Sequence, residues 1–206
     1  MLNLHNTAKK TKLDKRSKYL REIIIDCLKH EKRGHVGSSL SLVEIIRVLY
    51  DKIIKFNSKR PDDKKRDRFI LSKGHGCLAL YALLFDKKFI TRKQLFSVGQ
   101  FESILGGHPE DTVPGVELST GALGHGFSIA CGMALAANIK KENHKIFVVM
   151  GDGEINEGSV WESAMSVSKH KLKNLITIID YNKFQSYGPL EKVSNMTMLK
   201  KKWESF

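Results

Sequence analysis

At 206 residues, with 41% hydrophobic and 28% charged side chains, the chain suits one soluble domain whose core needs no disulfide or structural metal. No apolar run approaches the about 18 residues of a membrane span, and residues 1–18 read as a basic, polar N-terminal extension without a signal-peptide core. The net charge of +13 invites a nucleic-acid reading, yet the lysines are dispersed, no aromatic residues interleave with them, and no zinc-finger or helix-turn-helix spacing occurs. Neither nucleic acid nor membrane is expected as a partner, and the basic field suits phosphorylated metabolites.

In chain order, Lys12 to His30 carries a helical stripe of Leu20, Ile23, Ile24, Cys27 and Leu28. Ser41-Leu42-Val43-Glu44 has the spacing of a capping box, which predicts a second helix opening there with Leu42, Ile45, Ile46, Leu49 and Ile53 buried. Arg68 to Ser72 predicts a short strand, Gly76 to Phe85 a helix, and Thr91 the cap of a brief helix into Leu95. Ser97 to Thr120 bears Gly and Pro without periodicity, a long loop of the kind that is usually functional or disordered. Gly124 to Lys140 predicts a helix of small residues.

The clearest unit is the last. Lys145 to Met150 and Leu175 to Ile179 are apolar strands flanking a helix over Glu157 to Lys171, with Val160, Trp161, Ala164, Met165 and Val167 apolar. This is a βαβ crossover, so the strands should be parallel and buried on both faces. The expected fold is α/β, a parallel sheet flanked by helices, without internal repeats. Cys27, Cys77 and Cys131 are odd in number and far apart, which suits core residues of a reducing, cytoplasmic protein.

Gly151-Asp152-Gly153 sits at the carboxyl end of the first of these strands and Asn182 at that of the second, where open parallel sheets bind ligands. The glycines allow close backbone approach to an anion, and a carboxylate with amide and backbone carbonyls forms a hard donor set for Mg²⁺. Glycine-aspartate turns are common, so the motif alone is weak. An EF-hand alignment puts Val148 and Met150 at ligand positions and fails. Gly121 to Gly126 is not a dinucleotide fingerprint, because no strand leads into it and the spacing is wrong. Four Gly-His pairs end at His35, His75, His108 and His125, and no short histidine pair favours zinc.

Asp152 and Asn182, separated by thirty positions, resemble the thiamine-diphosphate signature. Arg33-Gly34-His35-Val36-Gly37, Ser72-Lys73-Gly74-His75, Gly107-His108-Pro109-Glu110 and the run Pro114 to Gly124 together resemble transketolase, in order, from about Tyr19 to Phe206. The resemblance implies a thiamine-diphosphate-binding fold of the diphosphate side. It implies Asp152, Asn182 and the Phe184 carbonyl as ligands of Mg²⁺ (or Ca²⁺ or Mn²⁺). It implies Gly151, Gly153, His75, Asn182 and the loop Gly121, Ala122, Leu123, Gly124 against the cofactor. His35, His75 and His108 would line the sugar channel, and Glu157 would join a charge network at the subunit interface.

The implied reaction is transfer of a two-carbon ketol unit from a ketose phosphate to an aldose. Val36 stands where larger members carry Pro, which leaves the donor sugar open. Relatives continue beyond the point matching Phe206, so the end of the domain is expected to be missing. The pyrimidine-binding half would then lie in a partner subunit, in a dimer or α₂β₂ assembly. Two alternatives stay open: another thiamine-diphosphate enzyme, such as a deoxyxylulose-phosphate synthase or an oxo-acid dehydrogenase component, and a truncated, non-catalytic remnant.

Overall fold

Three apolar runs pair into one parallel sheet. β1 (Arg68–Leu71), β2 (Ile146–Gly151) and β3 (Leu175–Asp180) lie in that order, with Ile70 opposite Val148 and Gly151 opposite Asp180. The computed structural model describes residues 10–196 and 198–206. Around the sheet stand α1 (Lys15–Glu31), α2 (Val36–Val48), α3 (Cys77–Asp86), α4 (Arg92–Leu95), α5 (His125–Ile139) and α6 (Gly158–His170). After β3 come a two-stranded hairpin, β4 (Phe184–Gln185) and β5 (Gly188–Pro189), and the short α7 (Leu190–Val193) and α8 (Leu199–Glu204).

The period-two alternation of a strand sorts the core into two layers. Phe69, Leu71, Phe147, Val149, Ile176 and Ile178 face α1, α2 and α3, whereas Ile70, Ile146, Val148, Met150, Leu175 and Ile179 face α5 and α6. From Cys77 to Leu84 every residue of α3 is buried, as a helix apolar on all sides must be. Thr91 caps α4 in a full capping box with Gln94, as its sequence predicts. The segment 97–120 holds no helix or strand and is fixed instead by an ion pair of Glu117 with Arg66 and a longer one with Arg68 at 3.4 Å.

Four expectations need correction. α2 begins at Val36, not at Ser41, and Ser41 lies inside it. The Ser41 hydroxyl is drawn to Asp180 at 2.6 Å, and Glu44 receives Arg21 at 2.7 and 2.8 Å, so neither side chain is free to close a box. Ile53 is exposed because a π-helical turn, Leu49–Ile53, rotates the stripe at the end of α2. β2 is buried along its whole length, but β3, one of the two edge strands among the described residues, is only half-buried. Of the expected N-terminal extension, residues 1–9 lie outside those described, while Lys15–Lys18 form the first turn of α1, where Arg16 binds Asp51 and Asp86.

Met165 is also exposed, as are Ile129 and Ile139 of α5. All three cysteines are buried free thiols, as their spacing predicts.

Candidate functional site

The carboxyl ends of the three strands gather the predicted chemistry on one edge of the sheet. β2 runs into Asp152, whose side chain is buried and accepts a hydrogen bond from the Lys183 amide at 2.6 Å. Asn182 folds back so that its amide oxygen accepts from Phe184 N at 2.9 Å, while its NH₂ donates to Ser41 at 3.4 Å. The Gly-Asp-Gly turn and the Asn182–Phe184 segment therefore meet, though thirty residues separate them. Burial raises the Asp152 carboxyl above its ordinary range, against the lowering effect of the Lys183 and Gly153 amides. Phe184 itself is exposed, its backbone held in β4, and Gln185 covers Gly153.

Beside this edge opens a cleft of about 550 Å³, bordered by His35, Val36, Ser38, His75, Asn182 and Gln185. The rings of His35 and His75 meet edge-on with centroids 5.4 Å apart. Burial, then the nearby Lys73 and the other two histidines, pushes His75 down to about 4. It is therefore neutral at pH 7 and can both donate and accept a proton. The His108 ring stands over Gly121, where a Cβ would come within 2.8 Å of it, and the φ of +147° there also calls for glycine.

Two groups to which the sequence reading gave no role complete the edge. Glu154 is buried and receives the Gly124 amide at 2.9 Å, the Gly151 amide at 3.2 Å, and the Ser72 hydroxyl in a short contact. It thus ties the Gly121–Gly124 loop to the ends of β1 and β2. Gly126 permits the same closeness, because a Cβ there would lie 2.5 Å from Ser72 Oγ. Lys73, also buried, pairs with Asp180 at 2.7 Å. Glu157 stands at the N-cap position of α6, exposed and without a capping hydrogen bond, near Gly124 and outside the cleft lining. His125 points away, with Nδ1 3.2 Å from Leu123 O.

The family profile described as transketolase, thiamine diphosphate binding domain, matches residues 13–206. This chain belongs to the transketolase family. It is 43% identical over 194 residues to an apulose-4-phosphate transketolase subunit of Phocaeicola vulgatus, covering 94% of this chain and 69% of that one. The subunit of the same name from Actinobacillus succinogenes is 41% identical, with 94% and 71% covered. Among solved structures, transketolase from Leishmania mexicana superposes with a TM-score of 0.87 at 31% identity, covering 95% of this chain. That of Campylobacter jejuni gives 0.86 at 33%, covering 92%. This chain spans 31% of the length of each of those two. No helix among the described residues is long and apolar enough to cross a membrane.

Proposed function

We propose that this chain is the diphosphate-side subunit of a split transketolase. With a partner that carries the pyrimidine-binding half, it transfers a two-carbon ketol unit from a ketose phosphate to an aldose, as a cytoplasmic enzyme of carbohydrate metabolism. The observation that carries the reading is the contact of Asp152 with Lys183 N, which brings the Gly-Asp-Gly turn and Asn182 together beside the His35–His75 cleft. The relatives named as transketolase subunits support a separate partner, and the apulose-4-phosphate in their name supports a phosphorylated ketose.

The residues fit the cofactor and its metal. The Asp152 carboxylate, the Asn182 amide oxygen and the Phe184 carbonyl are hard oxygen donors suited to Mg²⁺, with Ca²⁺ or Mn²⁺ as substitutes. A cation beside Asp152 would offset the burial that raises its pKa. Gly153 and the Gly121–Gly124 loop would lie against the cofactor, held by Glu154. When bound, thiamine diphosphate supplies the nucleophilic carbon that the protein lacks. The chain's own part is to orient it, exclude water, and exchange protons with sugar oxygens through His35, His75 and His108. The exposed apolar side chains Ile129, Ile139 and Met165 would serve assembly into a dimer or α₂β₂ tetramer.

The test is ketol transfer by the purified chain with thiamine diphosphate and Mg²⁺, alone and after adding the pyrimidine-half subunit. Silence alone and turnover together is expected. Turnover by the chain alone would refute the split site, and silence in both mixtures would refute a catalytic role.

A further inference from the structure

On α3, Cys77 and Tyr81 lie one turn apart, on the same face of the helix. Both aim donors at one short stretch of the 97–120 segment. The Tyr81 hydroxyl is 2.8 Å from the His108 carbonyl and 3.1 Å from that of Gly106, and the Cys77 thiol is 3.2 Å from that of Gly107. Three consecutive carbonyls are thus met by two side chains from the buried stretch, Cys77 to Leu84, of one helix. Tyr81 is completely inaccessible, and its burial raises the phenol's pKa, so it remains a donor at any working pH. Its single proton serves one carbonyl at a time, and the shorter distance favours His108.

The other side of His108 is fixed as well. Thr120 N donates to the Pro109 carbonyl at 3.1 Å, and the imidazole stands over the Gly121 backbone. Nothing in these contacts grips the ring itself; its placement depends on the backbone beneath it. A loop of glycines carries little stiffness of its own. We propose that Tyr81, assisted by Cys77, is a positioning residue that sets where the His108 imidazole stands. In the proposed transketolase reaction, on which this last step rests, it would act on sugar turnover and not on cofactor binding.

The first measurement uses the chain by itself, with ¹³C-labelled histidine and His108 assigned through His108→Gln. Tyr81→Phe keeps the ring in the core and removes only the hydroxyl. It should shift or broaden the His108 imidazole cross-peak while those of His35 and His75 stay in place. Cys77→Ala, a milder change, should move the same peak less. An unmoved His108 peak in both variants, or equal displacement of all three histidines, would overturn the assignment. The second measurement uses the complex with its partner. There Tyr81→Phe should lower kcat about tenfold, with thiamine diphosphate affinity unchanged. That loss should vanish in a His108→Ala background, and an additive loss would mean that Tyr81 acts elsewhere. If the unmodified complex transfers no ketol unit, the transketolase reading falls while the cross-peaks still decide the role of Tyr81.

Discussion

The ammonium of Lys73 lies 2.7 Å from Asp180 Oδ2, and almost none of either side chain reaches solvent. Lys73 follows β1 and Asp180 ends β3, so the lysine stem crosses the end of the central strand. The stem lies against Gly151, where a Cβ would meet it at 3.6 Å, ordinary contact. The pair also receives the Ser41 hydroxyl, which in turn takes the Asn182 amide. Salt-bridge pairing thus reaches the segment proposed to hold the metal.

Removing one partner of such a pair strands the other charge. Lys73→Met should destabilise the domain by about 3–5 kcal/mol in urea unfolding. It should also lift the His75 pKa from about 4, because Lys73 is the second-largest cause of its depression after burial. An NMR titration of His75 that leaves its pKa where it was would count against that electrostatic link.

Glu154 accepts from two backbone amides and a hydroxyl, an arrangement made for a carboxylate. Glu154→Gln retains the shape but turns an NH₂ group toward at least one donor. A loss of about 1–3 kcal/mol is expected, with weaker thiamine diphosphate binding as the Gly121–Gly124 loop loosens. Equal stability of the two proteins by denaturant titration would mean that the contacts are incidental.

His75 makes the fold sensitive to mild acid. Its folded pKa, near 4, lies below its ordinary value of 6.5, so between those values the unfolded chain binds the extra proton. Its contribution is complete above pH 6.5 and is lost as the pH falls toward 4. Unfolding free energies at pH 7 and pH 5 should therefore drop more for the unmodified protein than for His75→Gln. The reverse order would contradict the neutral, part-buried imidazole.

Cofactor and metal should bind interdependently, since Asp152 and a diphosphate are both anionic and need a cation between them. Asp152→Ala should weaken thiamine diphosphate binding more than about tenfold, and Cys131→Ser should leave it unchanged. Calorimetric titration with and without EDTA checks this, and equal affinity in both would rule out the metal bridge.

Much of this was legible in the residues. The apolar runs of β2 and β3, the crossover between them, the Thr91 cap and the helix after β1 follow from periodicity and capping, which act over a few residues and so leave a local signature. The spacing of Asp152 and Asn182 and the ordered Gly-His loops pointed to the candidate site by another route, their resemblance to a family pattern. Tertiary structure alone decided which buried charges satisfy one another. Glu154 finds Ser72 across 82 positions and Lys73 finds Asp180 across 107, pairings that no local pattern encodes. Ser41 shows the limit most plainly: its sequence context is that of a cap, but a carboxylate 139 positions away takes its hydroxyl. A buried acceptor costs more when unmet than a cap contributes when formed, so the distant partner wins.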